Sequence, residues 1–572
     1  MDTKTLQSLL AVSRGDAPAD FLLQNGRVVN TLSYEIEEIS VAVWNGFVAG
    51  LGDYEAREVI DLKGAYLCPS LIDGHIHIES SLLSPAEFAR AVVSRGTGAV
   101  VCDPHEIANV CGEDGIRFML EATENVPLDV YVMLPSCVPA THMETAGADL
   151  DAERLKPLLS HPRVLGLAEV MNFPGVVYGS DAVLDKIKMA DGLPIDGHAP
   201  GVSGKWLNAY AATGIGTDHE STTFEEGLEK LRRGIAVLIR EGSTARNLDA
   251  LLPLVKPENA HRFAFVSDDR HADDLVSEGH MNATLAKAVA KGLDPVMAVA
   301  MATAHTAAIF GRKDIGVIAP GRRANLALFE DLKSFKALKV WRNGTLVAEN
   351  GKLQTEISPI STAAVSNTVK VSAVTLESLH IPAGAGKAKI IDIIPDQIVT
   401  NGSTATLPVM NGNWTVDLAN DIAKLVVVER HGRTKNIGKG FVRGFHLKRG
   451  AIASTVAHDS HNLICAGMTD DDMLLAIQTL AKGGGGLVVV AEGKVMAELP
   501  LPIAGLMSDQ PAQGVVDAIT KLHQAARELG CTLSAPFMAL SFLALPVIPH
   551  LKLTDLGLID VDQFKPVPLS VE

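Results

Sequence analysis

The segment Asp73-Gly74-His75-Ile76-His77 sets two imidazoles two positions apart behind an apolar run over residues 66–72. Alternate side chains of a strand share a face, so His75 and His77 point the same way, roughly 7 Å apart by the rise per residue. A twist at the strand end lets both reach one metal ion. Further apolar runs end in residues of the same kind, at Glu169, His198, His219 and Asp268. These histidines and two carboxylates supply donors for two divalent ions if one carboxylate bridges them, and Glu169 is central in that order. Imidazole mixed with carboxylate oxygen suits Mn²⁺, Fe²⁺ or Zn²⁺. Such ions lower the pKa of bound water and so supply hydroxide near neutral pH. A neighbouring carboxylate then carries the proton. Asp268 is the expected carrier and Asp269 the alternative.

Residues so far apart in sequence meet only if one scaffold brings their strand ends together. Apolar runs at 99–101, 130–134, 164–167, 194–196, 215–217 and 263–266 alternate with helix-like segments and are each followed by His, Asp, Glu or Ser. This is the pattern of a (β/α)8 barrel, whose strand C-termini all open on one face. Short strand-like runs with Asn-Gly turns lie on both sides of it, and the expected domains follow. Residues 1–65 plus 311–356 form a small β-domain in which the two flanks pair, and residues 66–310 form the barrel. Residues 357–369, uncharged and rich in Ser and Thr, read as a linker, and residues 370–572 form a C-terminal α/β domain. Within the latter, Gly483 to Gly486 reads as a turn before a strand at 487–490, because no Lys-Ser or Lys-Thr follows as a phosphate loop requires. His458 and His461 either reach the barrel mouth or cap a local turn.

The bulk properties narrow the partners. The 572 residues exceed what a single core organises, and 47% hydrophobic content with 20% charged is that of a packed globular protein. A net charge of −17 opposes binding to nucleic acid or an anionic membrane. The six cysteines are scattered, with no disulfide framework or CxxC pair. Residues 1–14 read as a short polar helix and lack the apolar core of a signal peptide. Residues 530–549 carry no charge, but Pro536, Pro546 and Pro549 favour buried short elements over a membrane span. A cytoplasmic location is expected.

Several stretches resemble one family. Residues 69–77, the ordered His198, His219 and Asp268, and the closing segment 318–326 are similar to the amidohydrolase superfamily. Residues 102–110, 168–176, 267–271 and 457–462 resemble its bacterial-type adenine deaminases, and the likeness runs from about Phe21 to the C-terminus. Many amidohydrolases bridge their metals with a carboxylated lysine; Glu169 stands at that strand end here, which weakens a cyclic amide hydrolase reading. A metal-lacking scaffold barrel is the other alternative, disfavoured because all six ligands are present. The resemblance implies hydrolysis of adenine to hypoxanthine and ammonia in purine salvage, two divalent ions per chain with Mn²⁺ first choice, and a homo-oligomer acting on a small molecule. It implies a metal set of His75, His77, Glu169, His198, His219 and Asp268, with Asp268, Glu169 and Asp103 catalytic. Asp103, His105 and Glu106, one strand on from the histidine pair, would serve the purine ring; as a structural alternative they cap a helix and supply its acidic first turn.

Overall fold

The computed structural model describes residues 1–243, 245–395 and 397–571. Eight parallel strands form the catalytic unit: β1 (Leu71–Ile76), β2 (Thr97–Cys102), β3 (Asp129–Leu134), β4 (Val164–Val170), β5 (Ile195–Gly197), β6 (Thr217–Asp218), β7 (Ala236–Arg240) and β8 (Phe263–Val266). β1 to β5 are hydrogen-bonded in sequence order, as are β6 to β8. A parallel bridge between Ile76 and Asp268 brings the chain after β8 back beside β1. Every residue of these strands is buried, because helices cover the outside and side chains fill the inside. That explains why they read as continuous apolar runs without alternation. The interior is packed with Ile72, Val101, Tyr131, Met133, Leu238 and Val266, so the barrel is a solid core with chemistry confined to one mouth. Gly166 permits the closest approach in β4: a Cβ there would lie 1.9 Å from the Pro194 carbonyl oxygen. This contact sets the spacing between Glu169 at the end of β4 and His198 after β5.

The apolar run at 66–72 is two strands, not one. Tyr66–Pro69 leaves the barrel to pair with Leu326–Phe329, matching Pro69 to Leu326 and Tyr66 to Phe329. Ser70 marks the break, its amide donating to the Asn325 carbonyl at 2.9 Å. The flanks of the barrel therefore meet in one seven-stranded sheet and share a core of Val28, Leu67, Leu326 and Trp341. β7 was absent from the sequence reading because its run ends in Arg240, a residue that is no metal ligand.

Beyond the barrel lies a mixed nine-stranded sheet, flanked by helices Asp470–Gly483 and Ala512–Glu528. It does not hang from a free tether. Val365, inside the stretch read as a linker, is fully buried and its carbonyl accepts from the Ala504 amide. Apolar residues of the barrel (Ile76, Phe88, Ile107) and of this region (Leu425, Ile452, Leu506) belong to one continuous core. The uncharged stretch at 530–549 contains the short buried helix α1 (Pro536–Phe542). Among the described residues no helix is long and apolar enough to cross a membrane.

Candidate metal centre

β1 delivers its two histidines with their rings already oriented. The His75 Nδ1 lies 2.7 Å from Asp196 Oδ2, and the His77 Nδ1 lies 3.0 Å from the Asp103 carbonyl oxygen. A carbonyl only accepts, so His77 carries its proton on Nδ1. Both Nε2 atoms are thereby turned inward, 3.1 Å apart, and lie 3.7 and 3.3 Å from Glu169 Oε1. Asp268 Oδ1 joins this group 3.2 Å from His77 Nε2. The other Glu169 oxygen, Oε2, lies 2.6 Å from His198 Nδ1 and 3.4 Å from His219 Nε2. Each oxygen of one carboxylate thus faces a pair of these imidazoles, with the His105 Nδ1 also 3.6 Å from Oε1, and a bridging ligand needs such a two-sided arrangement. Asp268 reaches the group from a left-handed backbone (φ 56°), which Asp tolerates better than most residues, with its amide bonded to the His75 carbonyl at 2.9 Å.

These six residues are at most 7% exposed. Packing Glu169, Asp196, Glu220 and Asp268 together away from water is unfavourable unless positive charge accompanies them. Arg240 supplies part of it, its Nη1 donating to Glu220 Oε1 at 2.6 Å and also to Asp268 Oδ2. The remaining donors lie within metal-chelating reach of one another, His75, His77 and Asp268 forming one such group. The residues present therefore fit divalent cations. Burial alone would raise the Asp268 carboxyl; the Arg240 guanidinium, with His77 and His219, reverses this and holds it well below the usual carboxylate range.

The centre opens on a small cavity of about 40 Å³ that joins a much larger one of about 900 Å³ through shared walls at Glu220, Arg240, Ile398 and Ile548. Glu106, Glu169, Asp268 and Asp269 line the inner cavity from the barrel, and His458, Asp459 and Phe542 line it from the C-terminal region. His105 is also in its wall. Asp103 and His75 are not. The Asp103 carboxylate is turned to His105, accepting from its backbone amide and facing its Nδ1, each at 3.0 Å. The helix that follows, His105–Cys111, has no side-chain cap, so Asp103 positions His105 without acting as the helix N-cap. Ser80 Oγ lies 2.5 Å from both Glu106 Oε1 and Asp269 Oδ1. One hydroxyl hydrogen cannot serve two carboxylates, so one of the pair must itself donate. Burial, reinforced by the charges of Glu79 and Asp269, pushes the Glu106 carboxyl well above its ordinary value, which makes Glu106 that protonated partner.

Asp196, Ser80, Glu220 and Arg240 were not singled out from sequence. Asp196 had a signal, since it is two positions before His198 as His75 is before His77. Its contact with His75 sets that ring's tautomer and orientation, so Asp196→Ala should weaken metal affinity by about 10- to 100-fold, read by competition against a chelator.

Comparison with known proteins places these residues in a relationship. The amidohydrolase family model matches residues 66–347 and the adenine deaminase C-terminal domain model matches residues 397–565. Adenine deaminase 2 of Carboxydothermus hydrogenoformans is 50% identical over 569 residues, covering 99% of this chain and 100% of the relative. The adenine deaminase of Desulfatibacillum aliphaticivorans is 50% identical and that of Dehalococcoides mccartyi 48%, each over 98% of this chain and 99% of the relative.

Proposed function

The chain belongs to the adenine deaminase family of amidohydrolases, and from that premise we propose that its buried centre converts adenine and water to hypoxanthine and ammonia. The observation that carries this reading is the gathering of four imidazoles around the two oxygens of Glu169, in the wall of a small cavity. His75, His77 and Asp268 would hold one ion, His198 and His219 the other, with Glu169 shared. The donor set of imidazole and carboxylate without thiolate supports Mn²⁺ first, with Fe²⁺ or Zn²⁺ as alternatives. When bound, such ions supply a hydroxide nucleophile at neutral pH. The six free cysteines support a reducing, cytoplasmic setting.

The side chains divide the proton work. Asp268 is held ionised by Arg240, so it accepts a proton from the attacking water at its carboxylate and passes it to the N6 amine, which leaves as ammonia. Glu106, held neutral by burial, gives its proton to a ring nitrogen beside C6. That nitrogen then takes up electron density while C6 becomes tetrahedral, and Glu106 is reprotonated as the C6 hydroxyl becomes the carbonyl. Asp103 contributes indirectly by holding His105 against the cavity. Because the neutral form of Glu106 works, activity should fall as pH rises through its raised pKa. In Glu106→Gln that alkaline limb should disappear and kcat should drop by about 10²-fold with metal content unchanged.

Ammonia release from a panel of adenine, adenosine and cyclic amides tests the assignment. Adenine should have the highest kcat/KM. A cyclic amide as the sole compound hydrolysed, or adenosine equal to adenine, would remove the substrate assignment and leave a metal hydrolase.

A further inference from the structure

The C-terminal region closes the cavity with groups whose hydrogen bonds are unspent. His458 is 3% exposed, and among the described residues neither of its ring nitrogens has a hydrogen-bond partner. Its Nδ1 stops 3.6 Å from Glu106 Oε1 and 3.7 Å from Asp459 Oδ1. The ring cannot turn freely to improve these contacts, because it is stacked flat on Phe542 of α1, with centroids 4.6 Å apart and planes within 16°. Asp459 is 2% exposed, and among the described residues its buried Oδ2 has no hydrogen-bond partner, nor has the buried Oε2 of Glu106. A buried polar atom left unpaired costs roughly 1–3 kcal/mol. Two unpaired carboxylate oxygens lining one cavity, with the His458 imidazole between them and without a close hydrogen bond, point to a ligand that satisfies them.

The chemistry of the free base matches that need. This argument rests on the adenine reading above. With C6 at the metal centre and Glu106 at the adjoining ring nitrogen, the next stretch of the purine perimeter offers an acceptor, N3, beside a donor, N9–H. Burial lowers the His458 imidazole below its ordinary value, so it is neutral and has one N–H to donate. A carboxylate oxygen accepts. A nucleoside replaces N9–H by a carbon substituent, which removes the donor.

We propose that His458 and Asp459 bind the far edge of the unsubstituted base, His458 donating to N3 and Asp459 accepting from N9–H, so that Asp459 sets the preference over N9-substituted purines. The C-terminal region is then a reader of the substrate edge as well as a cover over the barrel.

Adenine and 9-methyladenine, compared by ammonia release from the metal-loaded enzyme, test this directly. The wild-type enzyme should prefer adenine by about 10³-fold or more in kcat/KM, as sites built around a substrate N–H do. Asp459→Asn should lower kcat/KM for adenine by about 10- to 100-fold, chiefly through KM, with metal content unchanged and a much smaller effect on 9-methyladenine, so that the ratio between the substrates collapses. His458→Ala should lower kcat/KM for both substrates by about 10- to 100-fold, because both keep N3, and His458→Gln, which keeps an N–H donor, should restore part of it. A parallel fall for both substrates in Asp459→Asn, or no recovery in His458→Gln, would mean a structural role and overturn the proposal. Should the variants not fold, competition in the wild-type enzyme decides: 9-methyladenine should inhibit only far above the KM for adenine, and inhibition near that KM would overturn the proposal. A wild-type enzyme releasing no ammonia from adenine would overturn the function and this inference together, before any variant is made.

Discussion

Glu169→Gln should cost the protein both ions and reduce adenine deamination by about 10⁴-fold or more. The side chain lies within 4 Å of all four imidazoles, through Oε1 toward His75 and His77 and through Oε2 toward His198 and His219. Gln keeps the shape and one acceptor oxygen, but loses the charge and the second acceptor. The four histidines then have no shared anion, and two cations at bridging distance repel each other without compensation. Without ions, water returns from a pKa of about 7 to about 15.7, which removes the nucleophile at neutral pH. Elemental analysis beside a turnover assay reads both effects. A Gln variant that kept two ions and more than about a tenth of the activity would show that Glu169 is no bridge.

Asp268→Asn separates proton transfer from metal binding. Asp268 sits between His77 on one oxygen and Arg240 on the other, and Asn preserves the volume and one acceptor at that position. Metal content should fall by less than half, while kcat should drop by about 10³- to 10⁴-fold, the scale of a lost general base. KM should change little, because the ring is bound by other groups. Activity within a few-fold of the parent, with metal retained, would move the proton role to Asp269 or out of the mechanism. Asp269 is the weaker candidate because its Oδ1 is already engaged by Ser80.

The fold was legible in the sequence to the extent that each barrel strand announced itself by a polar residue at its end. His75, His77, Glu169, His198, His219 and Asp268 were all read this way, and the structure gathers all six. The same rule missed β7, whose apolar run ends in Arg240, and with it the cation that keeps Asp268 ionised. Asp196 and the Asp103 carbonyl were illegible as orienting groups because their function depends on which ring nitrogen each histidine turns inward. No spacing rule encodes that choice. His458 remained ambiguous for a different reason. Whether it capped a turn or reached the barrel mouth depended on how the barrel and the C-terminal region pack, and that packing is carried by an apolar core that looks the same in either case. The uncharged stretch at 530–549 illustrates the same point: its apolar character serves to wall the cavity at Phe542, Leu545 and Ile548.

The central claim is that a centre of two ions shared by Glu169 deaminates adenine. The most direct measurement is ammonia release from adenine while Mn²⁺ is added stepwise to metal-free protein. The account predicts that activity rises to a plateau at two equivalents per chain. A plateau at one equivalent, or adenine left intact at every equivalent, would contradict it.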